Sequence, residues 1–118
     1  MAIAQLLNVP NQMLDGIDLC LECHSMCERT SVHCLDMGGE HASGDHQTAL
    51  RDCAQICATS ADFMIRQSPI HKFTCRVCAE ACRRCEAECR RISGGDSIME
   101  RCADTCKRCA ESCERMAA

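Results

Sequence analysis

Between Thr74 and Arg90 the chain places Cys75, Cys78, Cys82, Cys85 and Cys89 at intervals of three, four, three and four residues. That spacing repeats every seven residues, so all five thiols fall on one stripe of an α-helix. A stripe that ordinarily carries Leu and Ile carries sulfur here. Helices packed through such stripes enclose a column of thiols, and thiolates are ligands for soft metal ions.

Six pairs have the form Cys-x-x-x-Cys: Cys23 with Cys27, Cys53 with Cys57, Cys78 with Cys82, Cys85 with Cys89, Cys102 with Cys106 and Cys109 with Cys113. On a helix the members of each pair sit one turn apart, about 5–6 Å between Cβ atoms, and rotamers can bring both sulfurs to one ion. Cu(I) is a closed-shell soft ion satisfied by two or three thiolates, whereas zinc takes four ligands in a tetrahedron and usually draws Cys-x-x-Cys from a turn. Helical pairs therefore favour Cu(I) over Zn(II). Iron–sulfur clusters would gather four cysteines on one cluster and leave no further column of thiols. A buried thiol can also serve as a small hydrophobe. Leu would pack better and resist oxidation, however, so thiols at nearly every seam position of two helices have no packing rationale.

The supporting elements follow from punctuation. Gly38, Gly39 and Gly44 bound a polar loop, Ser68 and Pro69 mark a second break, and Gly94 and Gly95 a third. Helices are expected over about residues 10–37, 45–67, 69–93 and 97–116, with a further short helix over 2–7. Pro10 or Asn11 opens the first, Asp45 caps the second, Ser68 caps the third with Pro69 at its first position, and Ser97 with Glu100 forms a capping box for the fourth. Short links between long helices favour antiparallel neighbours, so the fold class is all-α, one domain built as an up-down-up-down four-helix bundle. The first helix brings Cys20, Cys23, Cys27 and Cys34, the second Cys53 and Cys57, the third its five, and the fourth Cys102, Cys106, Cys109 and Cys113. The segments starting at Cys78 and Cys102 form a weak internal repeat, consistent with duplication of a helical hairpin.

Composition supports a sulfur-lined core. Leu, Ile, Val and Phe supply only 19 of the 118 residues, below the usual globular level. A net charge of −4 and the absence of Trp and Tyr argue against nucleic-acid binding. No apolar run suggests an export or membrane segment. The fifteen cysteines are odd in number and helically spaced, which disfavours a disulfide framework and suits a reducing cytosol.

The Cys-x-x-x-Cys and Cys-x-x-Cys repeats over about residues 20–113 resemble those of the bacterial copper storage proteins. These are cysteine-lined four-helix bundles that hold many Cu(I) ions. The resemblance implies Cu(I) as the bound metal, a cytosolic location as in family members without an export signal, and a homotetramer of bundles. Because thiolates bridge neighbouring ions, the expected capacity is on the order of one Cu(I) per thiol, about 10–20 per chain. Each ion replaces thiol protons, so loading is expected to be proton-coupled.

Extending the seams past the thiols places Met37, His46 and Met99 inward at one bundle end, near His41, as weaker ligands suited to passing an ion inward. The opposite end gathers Met13, Ile17, Phe63, Met64, Ile70, Phe73 and Met116 as an apolar plug, with His71 on the seam beside it. His24 and His33 are expected at the surface. Arg83, Arg84, Arg90, Arg91, Lys107, Arg108 and Arg115, interleaved with Glu86, Glu88, Glu111 and Glu114, read as a solvated charged face.

Other readings are a zinc or cadmium thiolate buffer and a helical interaction module whose cysteines merely pack. An enzyme of the dithiol oxidoreductase type would place a low-pKa thiol at a helix start beside a βαβ scaffold, and no strands are expected here. No triad, phosphate loop or carboxylate pair gives catalysis an address.

Overall fold

A computed structural model describes residues 8–118, and the regular structure in this range is entirely helical. The helices are α1 (Asn11–Met37), α2 (Gly44–Ile65), α3 (His71–Ile92) and α4 (Ser97–Ala117), with a 3-10 turn at Gly39–Ala42 between the first two. The short helix expected over residues 2–7 lies outside the described residues. α1 packs on α2 and α4, and α3 packs on the same two, so the helices stand at the corners of a square.

The ends of the helices show why they stop where they do. Gly38 and Gly39 adopt positive φ after α1, as do Gly94 and Gly95 after α3, a conformation that costs glycine nothing. α2 closes earlier than its sequence pattern suggests because Gln67 also turns left-handed, with φ of 50°. Its N–H donates to the Met64 carbonyl and the Ser68 N–H to the Phe63 carbonyl, each at 2.9 Å. This is the paired closure of a Schellman motif. Ser68, Pro69 and Ile70 then form a turn, and α3 starts at His71 rather than at Pro69. Two further caps differ from expectation. Ser43, not Asp45, accepts the His46 N–H at the start of α2, and Asp96, not Ser97, accepts the Met99 N–H at the start of α4.

All fifteen cysteines are buried. The largest fully buried apolar side chains are Leu50, Met64 and Met99, so the interior consists of sulfur, Ala and a few large residues. The apolar plug is smaller than expected, since Ile70 and Phe73 are 51% and 61% exposed. With about 100° between successive helical residues, the register that points Cys75 inward turns Phe73 to solvent. Ile17 and Met64 remain buried at that end, with Met13 and Met116 half-buried against them.

The charged residues lace the outer faces. Arg83 reaches Glu114 at 2.9 Å and Arg90 reaches Asp104 at 3.1 Å, tying α3 to α4, while Arg108 reaches Glu22 on α1 at 2.9 Å. Such exposed pairs contribute little each, about 0–1 kcal/mol.

Candidate metal centre

The inward stripes meet so closely that sulfur touches sulfur across the bundle. Cys57 and Cys78 lie 3.5 Å apart between their Sγ atoms, Cys53 and Cys82 3.6 Å, and Cys20 and Cys113 3.7 Å. Within helices the pairs Cys23 with Cys27, Cys53 with Cys57 and Cys78 with Cys82 are each separated by 4.0 Å. Contacts between helices are thus at least as short as those within the Cys-x-x-x-Cys pairs.

Five groups of four thiols have all their sulfurs within 4.8 Å of one another. Along the bundle they run Cys20, Cys78, Cys109 and Cys113; then Cys57, Cys78, Cys82 and Cys109; then Cys23, Cys53, Cys57 and Cys82; then Cys23, Cys27, Cys53 and Cys106; then Cys27, Cys85, Cys102 and Cys106. Each group combines one Cys-x-x-x-Cys pair with one thiol from each of two other helices. Successive groups share two thiols, so the column is a file of tetrahedra joined along edges. An ion can pass from one to the next while two of its sulfur ligands stay in place. Cys34, Cys75 and Cys89 stand outside these groups.

The flanking thiols have polar neighbours. Cys34 Sγ lies 3.2 Å from Nε2 of His46, and Cys75 Sγ lies 3.4 Å from the Ser60 hydroxyl. Burial pushes the Cys34 thiol up to about 11. Cys75 is brought down to about 7, first by its contact with Cys113 and also by Ser60. Inside the column, Cys57 and Cys82 are raised chiefly by Cys109, which is itself lowered chiefly by Cys113. A thiolate formed at one sulfur is stabilised by the S–H groups around it, and its neighbours then hold their protons more tightly.

His46 is fully buried in the first turn of α2, where the Ser43 cap fixes the backbone. Its Nδ1 lies 3.6 Å from Oε1 of Glu88, a carboxylate that Arg91 contacts at 2.9 Å. Burial lowers the His46 pKa, and Glu88 opposes that shift. In the tautomer that carries its proton on Nδ1, the side that faces Glu88, the neutral ring presents the Nε2 lone pair to Cys34. The His41 ring stands edge-on to it, 6.4 Å between centroids, and Nδ1 of each ring is buried without a hydrogen-bond partner.

Of the other expected residues at this end, Met99 is fully buried but Met37 is 52% exposed, because it is the last residue of α1 and stands beyond the packed part of the bundle. Two histidines expected at the surface are half-buried instead. His24 Nδ1 lies 2.8 Å from the Ala54 carbonyl oxygen, and His33 Nε2 lies 2.8 Å from Oδ2 of Asp96. His71 is tied at 2.9 Å to the Ser68 carbonyl in the turn before α3. Glu88 and Ser60 were not singled out from the sequence as neighbours of the column. Each is one polar residue among many on its helix, and only the pairing of helices reveals its partner.

Comparison with known proteins gives concordant results. The family model described as copper storage protein matches residues 10–118. A crystal structure of a protein from Nitrosospira multiformis is similar with a TM-score of 0.84 and 40% identity, covering 90% of this chain and 94% of that one. The Cu(I)-bound copper storage protein BsCsp3 is similar with a TM-score of 0.83 and 31% identity, covering 92% of this chain and 100% of that one. The uncharacterized cysteine-rich protein YhjQ of Bacillus subtilis (strain 168) is 33% identical over 64 residues, which span 54% of this chain and 59% of that relative's length.

Proposed function

We infer, from the premise that this chain belongs to the copper storage protein family, that it stores Cu(I), multiple ions per chain, bound by the thiolates of its bundle core. The observation that carries this reading is the edge-sharing file of tetrathiolate groups, which offers contiguous coordination along the bundle. All fifteen cysteines are assigned as ligands, with a capacity of about 10–20 ions per chain because bridging thiolates serve two ions each.

Charge favours the monovalent ion. The file lies in a sulfur-walled interior, where an uncompensated charge is costly. One Cu(I) per thiolate leaves no net charge, and each ion that binds expels a proton. The reaction is RSH + Cu⁺ → RSCu + H⁺, with no change of oxidation state.

The mouth of the store is assigned to the end formed by Cys34, His41, His46 and Met99. Its support is the His46 ring held between Glu88 and Cys34. The neutral imidazole passes an ion to the thiol beneath it, and Met99 receives it on the facing helix. Met37, exposed beside this opening, is assigned to the outermost contact with incoming copper. The fifteen unpaired thiols support function in the reducing cytoplasm; among the described residues, no helix is long and apolar enough to cross a membrane. The exposed apolar side chains of Ile70, Phe73 and Val77 support burial against further copies, as in a homotetramer. Storage requires no catalytic group.

The test is an anaerobic titration of the fully reduced protein with Cu(I) against a competing chelator. More than about ten tightly held ions per chain are expected. Saturation at three or four would overturn storage in the column.

A further inference from the structure

The same five groups contain a second pattern. The first, third and fifth have no cysteine in common: Cys20, Cys78, Cys109 and Cys113; Cys23, Cys53, Cys57 and Cys82; and Cys27, Cys85, Cys102 and Cys106. Together they use twelve of the fifteen cysteines, each once. The second and fourth groups borrow all their members from these three.

A tetrahedral ion with metal–sulfur bonds of about 2.3 Å needs sulfurs about 3.8 Å apart. In the first group Cys20 lies 3.7 Å from Cys113, 3.8 Å from Cys109 and 4.0 Å from Cys78. In the third, Cys53 lies 3.6 Å from Cys82, 3.8 Å from Cys23 and 4.0 Å from Cys57. In the fifth, Cys27 lies 3.8 Å from Cys106 and 3.9 Å from both Cys85 and Cys102. These spacings are set by helix packing before any ion arrives. They suit a divalent tetrahedral ion that needs four sulfurs to itself.

We propose that the copper-free column is a set of three separate tetrathiolate sites for divalent tetrahedral ions of the zinc class, which Cu(I) then displaces. The proposal rests on the thiol column being metal-binding, and it assigns that column a second cargo with a different stoichiometry. Filling one site follows M²⁺ + 4 RSH → [M(SR)₄]²⁻ + 4 H⁺. Neighbouring groups share an edge of two thiols, and at these sulfur spacings two ions on such an edge would stand only about 2.7 Å apart, where dications repel strongly. Occupancy therefore stops at three.

Charge makes these ions replaceable. Each filled site keeps two negative charges in the interior, and the sulfurs at the centre of the file touch other sulfurs rather than cations. Copper removes that charge: [M(SR)₄]²⁻ + 4 Cu⁺ → 4 RSCu + M²⁺. Divalent ions would hold the empty thiols against oxidation and leave as Cu(I) arrives. Geometry admits both classes of ion; uncompensated charge ranks them.

Co(II) is the probe, because four-thiolate tetrahedral coordination gives it intense visible and charge-transfer absorption. The reduced full-length protein should saturate at three Co(II) per chain, and Zn(II) should bleach the colour at the same stoichiometry. Cys34→Ser, outside all five groups, should still bind three. Cys53→Ser and Cys27→Ser should each bind two, because either change leaves only two groups that do not overlap. Added Cu(I) should release all the cobalt. Octahedral spectra, saturation at a number other than three in the unaltered protein, or cobalt retained after copper loading would overturn the proposal. The unaltered protein decides the stoichiometry whether or not the variants fold. A parallel Cu(I) titration separates this outcome from copper storage itself, since more than ten bound copper ions with no tetrahedral cobalt would leave storage standing and remove only the divalent sites.

Discussion

Cys34 on α1 and His46 on α2 meet with Sγ and Nε2 3.2 Å apart, the one place among the described residues where a side-chain nitrogen reaches a thiol. The contact exists because Gly38 turns the chain after α1 and Ser43 caps α2 three residues before His46. A soft thiol and a neutral imidazole are thereby placed side by side at the end of the sulfur file.

Replacing that imidazole should slow the store without shrinking it much. His46→Ala is expected to reduce the rate of Cu(I) uptake from a chelator on the order of tenfold, while final capacity falls by about one ion. Anaerobic stopped-flow followed by equilibrium titration separates the two quantities. Uptake at the unaltered rate in His46→Ala, with slow uptake in His71→Ala, would move the mouth to the opposite end.

Two raised thiols should each contribute a loss of stability in alkali to the empty protein but not to the loaded one. Cys34 and Cys85 are raised from 9.0 to about 11, the first by burial and the second chiefly by Cys102. At these two positions folded chains thus retain protons that unfolded chains have released. This contribution is complete below the unfolded thiol pKa and is lost as pH rises toward the folded value, by about 1–3 kcal/mol per thiol. Thermal unfolding under argon between pH 8 and 11 should show the metal-free Tm of the unaltered protein falling further than that of Cys34→Ser. With copper bound the protons have already left, and the same series should be nearly flat.

Asp96 ties the start of α4 to α1 at one end of the bundle. Its carboxylate caps α4 through the Met99 N–H at 3.0 Å and receives His33 at 2.8 Å, and these contacts, the backbone one first, hold its pKa below the ordinary carboxyl range. Stability from this source is present above the unfolded carboxyl pKa and disappears as pH falls through the lower folded value. Asp96→Ala should cost about 1 kcal/mol at neutral pH, and Asp96→Asn less, because Asn also caps helices well. Chemical denaturation at pH 7 and pH 3 checks both points, the difference between Asp96→Ala and the unaltered protein narrowing in acid.

Gly16 is the tight point of the opposite end. A Cβ added there would lie 3.3 Å from Met64 Sδ and 3.5 Å from Met116 Cγ. Both neighbours are flexible thioether side chains that can give way, and alanine gains about 1 kcal/mol of helix propensity over glycine. Gly16→Ala should therefore fall within about 1 kcal/mol of the unaltered stability, whereas Gly16→Leu should lose about 1–3 kcal/mol through overpacking. Urea midpoints of the metal-free proteins provide the comparison.

Much of the bundle was legible in one dimension. The 3,4 spacing of Cys75 through Cys89 determines which face of α3 turns inward, and the register carries that face across the whole helix. Helix ends were less legible because local chemistry competes there. Ser68 and Pro69 resemble a cap followed by a first helical residue, yet the left-handed turn at Gln67 closes α2 early and delays α3 until His71. Phe73 is apolar and was expected in the plug, but its angle from Cys75 around the helix turns it outward.

The sequence by itself determined that there would be a file of thiols, since periodicity is a property of each helix alone. It also supplied five of the six Cys-x-x-x-Cys pairs as edges of the metal groups. Tertiary structure decided which other thiols complete each group, because those come from two further helices whose rotation and axial shift no local spacing specifies. The same reason explains why Glu88, on the outer charged pattern of α3, stands behind His46 of α2. Periodicity within a helix places a side chain on a face; only packing between helices decides what that face meets.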